Sequence, residues 1–365
     1  MIPAGFPRFL RARLVAVHFV CFAAAKSNII ARRRNIRKVD MDTASRIWVL
    51  TDGRAGNEAQ ALGLAEAVSR ARGVEISAKR IRLKTWAAWL PAALVHRSGM
   101  LRASVPLFAI ADGREEIRPP WPALVIGAGR RSAPVVAAIK KIAGVPAVQI
   151  LDSGLPATAF DLVIVPSHDR LSGENVLSTI GAMNRIVPDP KAPSTEPAAE
   201  TSEGSSRPAV AVLIGGPSRS CRFDTEAEVA LVAALSRLAE DYALDVTTSR
   251  RTPGSLISAL RDGLADRASV WSGDGPNPYP AMLRRAVAAL VTEDSVNMAS
   301  ECATAGLPVH VFPVTSVARK IACFHQSLAA RGASRRFEGE ITFWTYDRLA
   351  EADRAAEALI ERGLA

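Results

Sequence analysis

The sequence is poor in the residues that build metal centres, disulfide frameworks and membrane spans. Its 365 residues hold five histidines and four cysteines. Cys21, Cys221, Cys302 and Cys323 make no C-x-x-C pair, and the histidines show no H-E-x-x-H or similar ligand spacing. A disulfide scaffold and a metal site made by the protein alone are therefore not expected, and a reduced cytoplasmic protein is. The apolar run Leu14–Ala25 falls short of the roughly 20 residues a transmembrane helix needs. Net charge is not lacking, at +10, but it is badly distributed. Residues 1–40 carry nine Lys and Arg against one acid, which leaves only +2 for the other 325 residues. So neutral a body is not read as a nucleic-acid binder.

The amino-terminal stretch stands apart. Residues 1–42 read as a basic and apolar extension outside the fold, with Met41 as the functional start. Leu14–Ala25 also resembles a signal h-region with Ala23–Ala25 as cleavage site, but the basic run Arg32–Arg34 suits an exported terminus poorly. The main rival is a basic arm making peripheral contact with a membrane surface.

From Arg46 onward strand-like apolar runs alternate with helical stretches. Strands are expected at Ile47–Leu50, Ile76–Leu83, Ala123–Ile126, Ala147–Leu151 and Leu162–Val165, with helices near Glu58–Ser69, Trp86–Val95 and Pro134–Ile142. Residues 188–207 then lose large apolar side chains to Pro, Ser, Thr, Glu and Ala, and read as a flexible linker. Afterwards the alternation restarts, with strands at Val210–Ile214, Leu244–Thr247, Val270–Trp271, Ala288–Val291 and Val309–Phe312. Between and after them come helices at Glu226–Glu240, Leu256–Leu264, Val296–Thr304, Ala318–Ala330 and Leu349–Arg362. Such alternation implies parallel strands with right-handed crossovers. The expected fold is α/β, with two Rossmann-like doubly wound domains facing across a cleft. The first spans residues 43–187 and the second, nucleotide-binding one residues 208–335, and 336–365 form a carboxyl-terminal segment with a final helix. Ligands bind in such clefts because loops and helix N-termini converge there.

Five strand-to-helix turns carry candidate chemistry. Thr51–Gln60 follows the first strand, and its Asp52, Arg54, Gly56, Asn57 and Gln60 crowd polar groups where a turn alone would need fewer. An Asp52-Gly53 turn with Asn57 as helix cap is the plainer account. Gly127–Ser132, containing Gly129 and Arg130, approximates G-x-G-x-x-G with Ser132 in the third glycine place. Asp152 lies where a dinucleotide fold keeps its ribose-binding acid. The degenerate match is equally a glycine-rich turn with a solvated Arg pair. Gly215-Gly216-Pro217-Ser218 lets backbone approach a ligand or simply turns the chain. Ser249, Arg250 and Arg251 suit a diphosphate, since guanidinium forks match phosphate oxygens, though a surface Arg pair would look the same. The sharpest is Thr292–Glu301, where Asp294 or Ser295 caps a helix bearing Asn297 and Glu301. Free N–H groups at that helix start suit a phosphate, and Glu301, two turns on, is placed for ribose hydroxyls. Otherwise it is an ordinary capped helix.

The run W-V-L-T-D-G-R-A-G-N-E-A-Q from Trp48 to Gln60 resembles the opening of a bacterial and plant family named after a plant mitochondrial-fission factor, the elongated-mitochondria protein. Val212–Ser218, Thr248–Thr252 and Thr292–Pro308 agree, and the resemblance covers about residues 45–350. The family looks like glycosyltransferases of the two-Rossmann-domain (GT-B) architecture. That implies a sugar nucleotide as ligand, held here by Ser295, Glu301, Gly306 and Pro308, with no cofactor and no bound metal. It also implies acceptor contacts from Arg54, Asn57 and Gln60, with Asp52 as catalytic base and Asp152 and His168 behind it. The acceptor itself is not identified; an envelope-associated molecule is one option. Two alternatives stand beside this reading. One is a non-catalytic adaptor akin to the plant fission factor. The other is a dinucleotide-binding nucleoside-diphosphate-sugar enzyme, disfavoured because Tyr242, Tyr279 and Tyr346 each lack the Lys four residues on that epimerase chemistry uses.

Overall fold

The computed structural model describes residues 46–85, 107, 109–187 and 207–365. The Met41 start, the helix expected at Trp86–Val95 and all but the last residue of the expected linker lie outside the described residues.

The first half is one sheet of six parallel strands: β1 (Arg46–Thr51), β2 (Glu75–Arg80), β3 (Leu124–Ala128), β4 (Ala147–Ile150), β5 (Leu162–Pro166) and β6 (Val176–Thr179). Their order in space is β2-β1-β3-β4-β5-β6. Helix α1 (Ala55–Arg72) connects β1 to β2, and α2 (Ala133–Ala143) connects β3 to β4. The strand expected at Ile76–Leu83 is broken. Ile81 turns inward and donates its N–H to the Thr51 carbonyl at 2.9 Å, and Arg82–Leu83 pairs antiparallel with Ile110–Asp112 instead.

The second half repeats the plan with β7 (Ala209–Ile214), β8 (Ala243–Thr248), β9 (Ala268–Trp271), β10 (Ala288–Thr292), β11 (Val309–Phe312) and β12 (Ser334–Arg336), again all parallel. Their order is β9-β8-β7-β10-β11-β12, the order of dinucleotide-binding sheets. The helices are α3 (Thr225–Asp241), α4 (Gly254–Leu264), α5 (Tyr279–Arg285), α6 (Val296–Ala305) and α7 (Arg319–Ala330), and α8 (Glu351–Glu361) follows the sheet.

The central strands are apolar and buried because both faces are covered, while the edge strands β2, β6 and β12 are partly exposed. Along β7, Val210, Val212 and Ile214 pack with α3 and α4, while Ala211 and Leu213 pack with α6 and α7. In the first sheet Ile47 and Val49 face α1, and Trp48 and Leu50 face α2. Helix α8 crosses back to the first half, where Ala355, Ala356 and Leu359 complete the core beneath α1. It is tied there by Arg70–Asp353 at 2.6 Å.

In each sheet the chain reverses direction beside its first strand, between β1 and β3 and between β7 and β10. Loops leaving the two strands at such a point part to opposite faces and open a crevice at their carboxyl ends. The Thr51, Gly127, Gly215 and Thr292 motifs all lie there.

Candidate functional site

The first switch point is a turn that closes on itself. Thr51 Oγ1 accepts the Gly53 N–H at 3.0 Å and donates to Glu58 at 3.1 Å. Asp52 Oδ1 accepts the Arg54 N–H at 3.3 Å, and Gly53 takes the left-handed φ of 76° that closes the turn. Asn57 is not a cap: the helix begins at Ala55, and the Asn57 amide fills the space beside Gly129, where a Cβ would lie 2.4 Å from its nitrogen. The Asp52 side chain is only 6% exposed, with Arg54 Nε 3.5 Å and Arg131 Nη1 3.9 Å from its Oδ2. Gln60 is buried on the packed face of α1. Arg130 is exposed and has no side-chain partner among the described residues.

The Gly127–Ser132 loop is closely packed against its helix. A Cβ on Gly127 would lie 2.5 Å from Val136, so this glycine serves helix–strand packing. Ser132 is fully buried and donates to the Ala128 carbonyl at 2.9 Å, closing the turn from inside. Asp152 is exposed and accepts the Gly154 N–H at 2.8 Å, in its own small turn.

The second switch point is organised around one buried carboxylate. Asp294, whose side chain is 0% exposed, accepts the Gly216 N–H at 3.0 Å, the Thr292 hydroxyl at 2.7 Å and Arg251 Nη2 at 2.7 Å. Thr292 Oγ1 in turn accepts the Gly215 N–H at 2.8 Å. Arg251 also donates to the Gly216 carbonyl, so its guanidinium ties three loops together. A Cβ on Gly215 would meet Asp294 Oδ2 at 2.1 Å, and one on Gly216 would meet the Arg251 carbonyl at 2.3 Å. The glycine pair is therefore required by the loops themselves. Ser249 Oγ accepts the Arg251 N–H at 3.1 Å, and Ser218 Oγ accepts the Ser220 N–H at 3.1 Å. Arg250, next to the anchored Arg251, is exposed and without a side-chain partner among the described residues.

Ser295, not Asp294, caps α6, accepting the Met298 N–H at 3.4 Å. Glu301 is half-buried and accepts the Tyr279 hydroxyl at 2.5 Å. Burial raises the Glu301 carboxyl above its ordinary range, and the Tyr279 bond opposes that. Burial, then the Glu301 charge, pushes the Tyr279 hydroxyl well up. Cys221, near this network, has its thiol pushed up to about 11, first by burial and then by Asp294 and Glu293 against Arg251, so it is no thiolate nucleophile at neutral pH. His325 donates Nε2–H to the Glu293 carbonyl at 2.7 Å and is held neutral by burial. Gly306, the left-handed stop of α6 at φ 85°, and Pro308, which leads into β11, shape the chain.

The carboxyl ends of the two sheets face one another. A Cβ on Gly56, in the first turn of α1, would lie 2.7 Å from the Asn297 amide, in the first turn of α6. Lys320, at the start of α7, pairs with Asp169 just past β5. Beside that pair burial lowers the pKa of His168, with Asp169 opposing, and its Nδ1 is buried without a partner. Behind the cleft, Ser300 accepts the Ala182 N–H at 2.9 Å, and Asn184 donates to Thr304 at 2.9 Å.

Sequence reasoning missed Tyr279, which no local motif marks, and Arg80, which lies opposite Thr51 in the β1–β2 register. Strand pairing carried that second signal. Arg80 Nη2 sits 3.5 Å from Glu58, and its Nε would lie 3.3 Å from a Cβ on Gly53.

The chain is 29% identical over 266 residues to the mitochondrial fission protein ELM1 of Arabidopsis thaliana, a match covering 64% of this chain and 62% of the plant protein. It is 26% identical over 360 residues to the uncharacterized protein RP120 of Rickettsia prowazekii, covering 86% of this chain and 97% of that one. Among solved structures, the glycosyltransferase SnogD from Streptomyces nogalater shares 16% identity at a TM-score of 0.46, over 88% of this chain and 95% of its own. The model of the family described as mitochondrial fission ELM1 matches residues 55–363, and the chain belongs to that family.

Proposed function

We propose that the cleft transfers a glycosyl group from a nucleoside-diphosphate sugar to an acceptor hydroxyl. What carries the reading is the meeting of the two switch points, where the N-termini of α1 and α6 touch at Gly56 and Asn297. On this reading the diphosphate lies over the start of α6, where unpaired N–H groups and the helix dipole favour negative charge. Arg250 supplies a free guanidinium fork to its oxygens. Glu301, oriented by Tyr279, takes the ribose hydroxyls. The acceptor oxygen bonds to the anomeric carbon as the bond to the diphosphate breaks, and the leaving group keeps that electron pair. Asp52 takes the acceptor proton. Its carboxylate is fixed by the Arg54 N–H and flanked by two guanidinium groups.

Calorimetry with UDP, GDP and their sugars tests this. The protein binds at least one of them, and Glu301→Ala weakens that binding by about tenfold to a hundredfold, the worth of a charge-assisted hydrogen bond. Tyr279→Phe leaves the carboxylate in place and weakens binding less. A protein that binds none of these ligands would favour the adaptor reading, which draws on the likeness to the plant fission protein.

A further inference from the structure

Arginines are spread over this protein's surface, and at the first switch point several of them cluster around two carboxylates. Several exposed arginines elsewhere hold carboxylates closely: Arg46–Glu75 at 2.8 Å, Arg70–Asp353 at 2.6 Å and Arg185–Glu66 at 2.6 Å. At the mouth of β1, Arg54 and Arg131 share Asp52 at 3.5 and 3.9 Å, and Arg80 stands 3.5 Å from Glu58. The side chains of Arg54, Arg80 and Arg131 remain 62%, 72% and 47% exposed. Arg130 adds a guanidinium with no partner among the described residues. Both carboxylates also have other donors, since Asp52 accepts the Arg54 N–H and Glu58 accepts the Thr51 hydroxyl.

Three cations thus share two carboxylates that are already engaged, a fourth in the adjoining loop has none, and several forked donors are left exposed to solvent. The local excess is two positive charges, in a protein whose residues beyond 40 total only +2. An exposed cluster of like charge is held apart by water and salt at some cost, and a doubly charged anion removes that cost. Guanidinium forks match phosphate oxygens in geometry as well as charge. Arg54 stands beside Asp52 and in the same turn as Gly56, which meets the other half.

We infer that the first half binds its acceptor through a phosphate or diphosphate group, held by Arg54, Arg80, Arg130 and Arg131. The inference rests on the transferase reading for the word acceptor, but the anion site stands on its own geometry. The phosphate belongs either to a lipid headgroup or to a soluble sugar phosphate. The chemistry is shared, and the acceptor hydroxyl lies beyond the phosphate, toward Asp52.

The test uses the full chain and two probes. One is glucose 1-phosphate, followed by calorimetry. The other is phosphatidylcholine vesicles with and without phosphatidic acid, followed by cosedimentation. The wild type binds at least one phosphate probe, and binding falls steeply with added salt. The triple variant Arg54→Gln/Arg80→Gln/Arg130→Gln loses about tenfold or more of that affinity, while UDP and GDP bind as before. The same positions changed to Lys recover part of it. A vesicle-only response assigns a lipid acceptor, and a glucose 1-phosphate response a soluble one. The inference is overturned if neither probe binds the wild type, or if the Gln variant binds as the wild type does, because the basic residues 1–40 would then account for vesicle binding. It is also overturned if the variant loses nucleotide affinity by the same factor, since the arginines would then belong to the donor. If no nucleotide binds but the phosphate response still depends on the arginines, the anion site stands and the transferase reading falls.

Discussion

The two switch points are built from the same kinds of residue and organised in opposite ways. In the second half the carboxylate of Asp294 is sealed from water and saturated with donors, and Arg251 is committed to it. In the first half the cations are exposed and loosely paired. A site whose polar groups are already satisfied by each other is rigid before a ligand arrives. One whose donors are unsatisfied keeps them for a ligand. The second half therefore reads as a fixed platform for a constant group, and the first as the adaptable side that meets the variable partner.

The largest expected effect breaks the platform. Arg251→Ala strands the buried Asp294 charge and should cost about 3 kcal/mol of stability, read from denaturant unfolding. Its neighbour Arg250→Ala should cost less than about 0.5 kcal/mol, as surface changes do. Equal costs for the two would erase the distinction between an anchored and a free arginine. If the first half is the looser partner, Arg80→Ala also stays within about 0.5 kcal/mol.

Acid should sharpen the comparison next. His310 and His325 in the second half, and His168 in the first, all have their pKa lowered from 6.5, mainly by burial. Below pH 6.5 the unfolded chain gains protons that the folded one refuses, so stability falls as pH drops through the window beneath that value. Glu301 works the other way. Its raised pKa makes the folded state hold a proton longer than the unfolded one, so its contribution is lost as pH rises above 4.5. The melting temperature should therefore fall between pH 7 and 5.5, and His325→Gln should flatten that slope. A slope untouched by the change would remove this histidine as a cause.

The smallest effect probes the contact between the halves. Gly56→Ala improves helix propensity by about 1 kcal/mol. It also sets a methyl where a Cβ lies 2.7 Å from the Asn297 amide. That amide is the end of a side chain able to rotate away, so the fold should stand, with a melting temperature equal or slightly raised. Nucleotide-sugar affinity should fall a few-fold, and calorimetry beside a thermal melt separates the two. An unchanged affinity would mean the α1–α6 contact does not shape the cleft.

Much of the fold was legible because apolar runs of strand length between amphipathic helices leave few arrangements that cover both faces of a sheet. The strands from Ile47, Ala147, Leu162, Val210 and Val309 stand where periodicity puts them. The continuous strand expected over Ile76–Leu83 is instead two pieces, because Arg82–Leu83 leaves β1 and pairs antiparallel with Ile110–Asp112, a partner remote in the sequence. Short strands such as Val176–Thr179 and Ser334–Arg336 carry too few apolar residues to announce themselves.

Motif position was likewise local information. A glycine-bearing or polar turn after a buried strand marks the carboxyl edge of a sheet wherever it occurs; the turns at Thr51, Gly127 and Gly215 are of the first kind and that at Thr292 of the second. Which polar residue does what was not local. Asp294 or Ser295 could each cap a helix in the sequence. Gly216 and Arg251, 78 and 43 residues before Asp294 in the chain, decided that Asp294 turns inward and Ser295 caps. Arg250 and Arg251 are chemically the same, and only the position of a buried carboxylate commits one and leaves the other free. By itself the sequence determined the alternation of strands and helices, the α/β class and the turns at which ligands can bind, because these follow from hydrophobic period and backbone freedom within a few residues. Tertiary structure alone decided the pairing of charges and the meeting of Gly56 with Asn297, because electrostatic and steric contacts depend on distance in space and not along the chain.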